Sequence, residues 1–233
     1  MSYKNVLQKC SNPENHRHPI LYGCDRLMVS DGGADMQNNQ TLEYYEKNAD
    51  AYISDTVSVD FTNVQNRFIH SLKGKKILDY GCGSGRDTLY FLKNGYDVDA
   101  MDGCREFCVS ASQLTGIPVK HMLFQDLNEV DLYDGIWACS SILHVSKKDL
   151  KDVFARMIRA LHKDGVIYTS FKYSTFEGER NGRYFTDFTI DSFREFVNDY
   201  ENLVIEEYWL SGDVRPGRED ERWLNLLLRK ISS

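Results

Sequence analysis

The run Asp79-Tyr80-Gly81-Cys82-Gly83-Ser84-Gly85-Arg86 concentrates the chemistry of this chain. An acid closes a short apolar segment, three glycines follow at alternate positions, and a helix-compatible segment begins at once. Glycine lets the backbone turn tightly and approach a ligand closely. Strand, loop and helix in succession is the setting in which such a motif binds nucleosides. The spacing excludes the common phosphate binders. The dinucleotide fingerprint G-x-G-x-x-G needs a third glycine where Arg86 or Thr88 stands. A Walker loop needs a Gly-Lys-Ser/Thr ending, which is missing. Asp79 would repel a phosphate and suits a cationic or amine-bearing ligand.

A second acid, Asp102, closes the next strand-like segment and is followed by Gly103. It stands about twenty residues beyond the first glycine, the offset at which an acid reaches ribose hydroxyls. With both acids in place the chain resembles the class I S-adenosylmethionine-dependent methyltransferases, whose first motif is D-x-G-x-G-x-G. Within them it is most similar to the tellurite-resistance-type and related small-molecule enzymes. The resemblance covers roughly residues 41 to 231 and implies S-adenosyl-L-methionine as cofactor. It implies that the loop backbone at Gly81, Cys82 and Gly83, with Asp79 behind it, holds the methionine amino end. Arg86 would pair with the cofactor carboxylate, or lie as a solvated cation. Asp102, with Gly103 beside it, would accept from both ribose hydroxyls, or cap the helix starting near Cys104. Asp126 would accept from the adenine amino group and the Leu127 backbone would touch the ring, the alternative for Asp126 being an ordinary loop acid.

The acceptor side is sketched by fewer residues. Trp137 to Val145 follows the fourth strand, and open α/β sheets bind ligands beyond the carboxyl ends of their strands. Cys139 therefore faces the methyl group. Family members that methylate exocyclic amines of DNA bases, or protein glutamine, carry Asn/Asp-Pro-Pro-Tyr/Phe here. Ala138-Cys139-Ser140-Ser141 departs from that pattern and argues against DNA modification. His144 is the candidate general base, since an unperturbed histidine titrates near working pH. It could equally orient the loop or pack on the cofactor, because positioning and desolvation supply much of the rate of methyl transfer. Tyr44, Tyr45 and Tyr52 would form an aromatic lid over a sulfonium, or an aromatic core stripe. Tyr44 also joins Arg180 and Arg183 as candidate acceptor contacts. Those arginines lie in a glycine-broken insert and, with Arg215 and Arg218, suggest an anionic acceptor, against the plainer reading of surface arginines.

The elements that must position these residues read as one α/β domain. The chain has 233 residues, 42% of them hydrophobic. Residues 1–40 form a polar leader expected to be flexible, and 41–233 the methyltransferase domain. Strands are expected near 76–80, 97–101, 119–123, 135–139 and 165–172, with helices near 41–53, 61–73, 85–94, 104–115, 147–162 and 190–199. Such alternation implies a doubly wound parallel sheet with helices on both faces. Strand-like segments at 203–210 and 222–229, separated by a turn-rich loop, imply an antiparallel C-terminal hairpin. The family's Rossmann-like sheet has seven strands in this arrangement.

A net charge of −7 argues against a nonspecific grip on nucleic acid. No run approaches the ~18 apolar residues of a membrane span, and no signal peptide is evident. Six cysteines read as reduced thiols of a cytoplasmic protein. Cys10, His16, His18 and Cys24 match no common zinc spacing, so no metal is expected. The implied function is methyl transfer to a small-molecule, anionic acceptor, without a membrane partner. An RNA (tRNA) methyltransferase and a non-catalytic cofactor-binding subunit remain as alternatives.

Overall fold

The strands alternate their side chains between two apolar layers, and this alternation builds the domain. In a computed structural model, residues 34–232 other than 216 and 219 are described. Cys10, His16, His18, Cys24 and most of the expected leader lie outside them. The elements are α1 (Ala34–Lys47), α2 (Ala49–Thr56), α3 (Thr62–Ser71), β1 (Lys76–Tyr80), α4 (Arg86–Lys93), β2 (Asp97–Asp102), α5 (Arg105–Thr115) and β3 (Val119–His121). Then follow β4 (Tyr133–Ala138), α6 (Lys147–Ala160), β5 (Leu161–Lys172), β6 (Glu177–Arg180), β7 (Arg183–Thr186), α7 (Ile190–Val197), β8 (Leu203–Gly212) and β9 (Arg222–Lys230). Single 3-10 turns occur at Phe124–Asp126 and Ile142–His144.

Seven strands form one sheet in the order β3-β2-β1-β4-β5-β9-β8. The first five are parallel; β9 runs antiparallel to both β5 and β8. This is the expected doubly wound sheet with its antiparallel end. Period-two alternation sends Leu78, Ile136 and Ile167 to one face, where they pack with Leu150, Phe154 and Met157 of α6 and Phe193 of α7. It sends Ile77, Trp137 and Tyr168 to the other, against Phe68 of α3 and Phe91 of α4. Strand order reverses between β1 and β4, and the carboxyl ends of strands flanking such a switch point are where ligands bind.

Two elements differ from the sequence expectation. The helix expected over 41–53 is two helices, the first starting earlier, at Ala34. They break at Asn48, whose side chain donates to the Tyr44 carbonyl at 2.7 Å and so competes with the helical backbone. The glycine-broken insert is a separate two-stranded sheet, β6 paired with β7. Its turn is Asn181-Gly182, at φ 53° and 76°. An Asn-Gly pair with both residues at positive φ is the favoured hairpin turn, so the signal was present in the sequence.

One buried carboxylate ties the helices of the second face to the sheet. Asp87 of α4 accepts from Gln65 of α3 at 2.6 Å, from the Trp137 indole of β4 at 2.9 Å, and from the Arg86 guanidinium at 2.8 and 2.9 Å. Removing it takes this acceptor from the buried Gln65 and Trp137 and from the half-buried Arg86. Asp87→Ala is expected to lower the unfolding free energy by about 3–5 kcal/mol, the cost of breaking a buried ion pair from one side. Urea denaturation followed by tryptophan fluorescence measures this; a loss under about 1 kcal/mol would refute the role.

Candidate active site

The β1–α4 loop is held by the strand beside it. The amides of Gly81 and Cys82 donate to the Met101 carbonyl of β2 at 2.9 and 3.0 Å, and Gly85 donates to Cys82 at 2.9 Å. Gly83 donates to the Asp102 carboxylate at 2.9 Å, and the other oxygen of that carboxylate accepts from Cys104 at 2.8 Å. With these amides engaged, the loop has few donors left for a ligand. That chemistry disfavours phosphate. Gly81 (φ 89°) lies so close to Ser141 that a Cβ would meet it at 2.5 Å, and Gly85 (φ 79°) abuts Ala111 at 2.9 Å. Side chains at these positions would be strained twice over, by backbone and by contact.

Three carboxylates surround the loop, and their field is negative. Asp79 is buried behind it, bonded by the Thr88 hydroxyl. Burial and the neighbouring Asp87 push its pKa up to about 8. Burial likewise raises Asp102 to about 6, although the Cys104 and Gly83 amides pull it back. A site that leaves carboxylates reluctant to ionise gains from a bound cation.

The cleft over this loop has two lobes. The first lies between Asp102, Gly103, Leu123, Phe124 and Gln125 on one side and Tyr45 on the other. The second is more polar and lies against Cys82, Arg86, Asp213 and Arg215. Tyr52, Gly81, Gly83, Cys139 and Ser140 border both lobes. The Arg86 pair with Asp87 engages Nε and one Nη hydrogen of a guanidinium that carries five. Beyond Tyr52 and Ser140 the cleft continues into a third cavity lined by Lys172, Arg180, Arg183, Arg215, Arg218 and Arg222.

Several expected roles change in the folded chain. Asp126 is exposed and turned away from the cleft: its carboxylate caps its own 3-10 turn, accepting from the Leu123 amide at 3.2 Å. Leu127 is buried in the core, and its carbonyl accepts from Arg156 and Arg159. Neither borders the cleft; Gln125 and Phe124 do. His144 borders both the cleft and the third cavity, but not as a free imidazole. Burial first, and then Arg183, push its pKa down to about 4, and its Nε2 lies 2.8 Å from the Tyr45 hydroxyl. Its lone pair is occupied, and its basicity is far below that of a free imidazole.

The two expected acceptor arginines are brought together by the β6–β7 hairpin, with different partners. Arg180 pairs with the buried Asp187 at 2.8 Å. Arg183 lies over the rings of Tyr44, Tyr45 and Phe185 at 4.5, 5.7 and 5.2 Å, with no carboxylate partner among the described residues. Tyr44 thus supports Arg183 and does not itself border the cavities. Sequence reasoning did not single out Ser140. It holds a positive φ of 51°, a conformation that persists in non-glycine residues only where surroundings enforce it. Here the Ser170 hydroxyl accepts from its amide at 3.0 Å.

A methyltransferase domain model matches residues 77–165, the span from β1 into β5 that contains the loop and both cleft acids. The chain carries a methyltransferase domain and is an S-adenosylmethionine-dependent methyltransferase. Its cofactor is accordingly S-adenosyl-L-methionine, and the cleft fits that group. The loop amides are already engaged, and the buried Asp102 carboxylate borders the cleft that a cationic nucleoside would enter. The methyltransferase is 23% identical to an uncharacterised methyltransferase of Staphylococcus carnosus over 68% of this chain and 80% of the relative. In fold it is similar to the 1,6-didemethyltoxoflavin-N1-methyltransferase of Burkholderia thailandensis (TM-score 0.70, 18% identity, 88% of this chain and 94% of that one). It is also similar to TehB of Haemophilus influenzae (TM-score 0.61, 17% identity, 82% and 67%). Among the described residues no helix is long and apolar enough to cross a membrane.

The raised Asp79 has a consequence for stability. Its folded pKa, about 8, exceeds the ordinary aspartate value. The protonated form is therefore the one the fold prefers, and stability falls as pH rises from about 4 through 8. Asp79→Asn, which cannot ionise, should gain on the unliganded wild type across that window. Urea midpoints compared at pH 5 and pH 9 check this; a difference that does not widen in favour of Asn overturns it.

Proposed function

We propose that this methyltransferase acts on a small-molecule acceptor carrying an anionic group. S-Adenosylmethionine supplies a methyl carbon activated by positively charged sulfur; the chain's own residues bind, orient and shield. In this reading Asp102 and Gly103 receive the ribose, and Phe124 and Gln125 border the adenine. The polar lobe takes the methionyl end, with loop carbonyls toward its ammonium and the remaining Arg86 donors toward its carboxylate. Cys139, Tyr52 and Ser140, where the donor cleft meets the cationic cavity, would border the transferred methyl group.

The observation that carries the reading is Arg183. Five other cations line that cavity, and four of them have acidic partners: Lys172 with Glu221 and Asp213, Arg180 with Asp187, Arg215 with Asp213, Arg218 with Glu221. Arg183 instead rests on aromatic rings, and its Nε is buried without a hydrogen-bond partner. An unpaired buried donor on a cation costs stability unless a ligand completes it. A carboxylate or oxyanion would do so bidentately. The Burkholderia neighbour has 1,6-didemethyltoxoflavin and S-adenosylhomocysteine bound, which is in keeping with a small acceptor here. The acceptor cavity is open and charged, which favours an enzyme over a blocked, non-catalytic subunit. A tRNA would need a basic face, whereas most of these cations are neutralised inside a concavity.

Arg183→Ala should raise the acceptor KM about tenfold or more while the cofactor dissociation constant stays within about twofold, a charged hydrogen bond being worth ~1.5–3 kcal/mol. The acceptor activity of a small-molecule cell extract, followed with methyl-labelled cofactor, should be retained on an anion-exchange resin. Activity in the flow-through, or an unchanged KM, would sink the anionic reading. Cofactor affinity should also weaken as pH falls below about 6, where Asp102 takes up its proton. Asp102→Asn should bind weakly at every pH between 5 and 8, as isothermal titration would register.

A further inference from the structure

Where the donor cleft meets the cationic cavity, a chain of hydrogen bonds runs through four residues. His144 Nδ1 lies 2.6 Å from the Tyr184 carbonyl. A carbonyl can only accept, so Nδ1 carries hydrogen. Burial disfavours a second proton on the ring, so Nε2 accepts, and the group 2.8 Å from it is the Tyr45 hydroxyl. Tyr45 therefore donates to His144. Arg183 Nη1 approaches the same oxygen at 3.4 Å as a donor. Tyr45 borders both the cleft and the cavity, and the only function its oxygen has left for a ligand is to accept.

We propose that the methylated atom is a protic N–H or O–H group whose hydrogen Tyr45 accepts, and that Tyr45 passes a proton on to His144. The proposal rests on the cationic cavity being the acceptor site. A carboxylate oxygen, a thioether sulfur or a carbanion would set its own lone pair against that of Tyr45. A protic nucleophile instead has its hydrogen held by Tyr45 and a lone pair directed at the methyl carbon.

The step balances within these groups. The acceptor heteroatom forms a bond to the methyl carbon with its lone pair, and the carbon–sulfur pair returns to sulfur. The heteroatom's proton moves to Tyr45 Oη as the Tyr45 proton moves to His144 Nε2, leaving an imidazolium. Its Nδ1–H remains on the Tyr184 carbonyl and its Nε2–H donates back to Tyr45. Tyr45 need never become a phenolate, in keeping with a hydroxyl whose ionisation burial disfavours. Tyr45 is then the catalytic residue, and His144 accepts through it.

Two measurements test this on the whole protein. Long-range 15N–1H NMR of histidine-labelled protein, with the His144 signals assigned by their loss in His144→Gln, should show a neutral Nδ1–H ring from pH 5.5 to 8. In Tyr45→Phe its Nε2 should shift to the position of an unbonded nitrogen. An Nε2–H tautomer, or an imidazolium at pH 7, would overturn the proposal whatever the acceptor is. Next, methyl-labelled products formed from a small-molecule extract would be identified by mass spectrometry and NMR. N-methyl or O-methyl ether products support the proposal; a methyl ester, sulfonium or C-methyl product overturns it. With that acceptor, Tyr45→Phe should lower kcat by roughly 10²–10⁴-fold, the usual span for a proton-transfer residue, with cofactor affinity unchanged. If Arg183→Ala leaves the acceptor KM unaltered while the NMR result stands, the anionic reading fails and the proton path does not.

Discussion

The Asp102 carboxylate is the constraint on which the site depends. One oxygen receives the Gly83 amide and the other the Cys104 amide. It thereby joins the glycine loop after β1, the end of β2 and the start of α5 at a single buried anion. A Gly-rich loop with free amides is an anion receptor; here the Gly81, Cys82 and Gly83 amides are tied to the neighbouring strand, which leaves fewer donors for an anion. The difference lies in where the hydrogen bonds go, and the glycines alone would not reveal it.

Burial strengthens this arrangement. In water three nearby carboxylates would be ionised and weakly coupled. Below the sheet's carboxyl ends, among Trp137, Tyr168 and Phe91, solvent is excluded and each charge raises the ionisation cost of the next. Arg86, Gln65 and Trp137 all donate to Asp87; Asp79 has one hydroxyl.

The parts legible in the sequence were those encoded locally. The strand-to-helix alternation, the glycine loop and the acid after β2 are short-range patterns, and the sheet and donor cleft followed from them. The acceptor side was not legible because its key pairs are distant along the chain. Tyr45 and His144, and Arg183 and Tyr45, meet only once α1 packs on the β6–β7 hairpin. Asp126 misled because loop acids and adenine-reading acids look alike until the carboxylate is seen capping its own turn. The hairpin is encoded in the Asn181-Gly182 pair and not in the charges of Arg180 and Arg183 on either side of it.

That hairpin stands outside the seven-stranded sheet. It is fastened by the Tyr184 amide to the Thr41 hydroxyl, the Thr186 hydroxyl to the Val145 carbonyl, and Arg180 to Asp187. None of these bonds belongs to the ladder of the main sheet. Its turn residues and outward side chains can therefore be exchanged, shortened or extended without altering strand register or the glycine loop. The domain is divided accordingly into a conservative floor and an interchangeable wall, and a library confined to residues 177–186 would vary one while leaving the other intact.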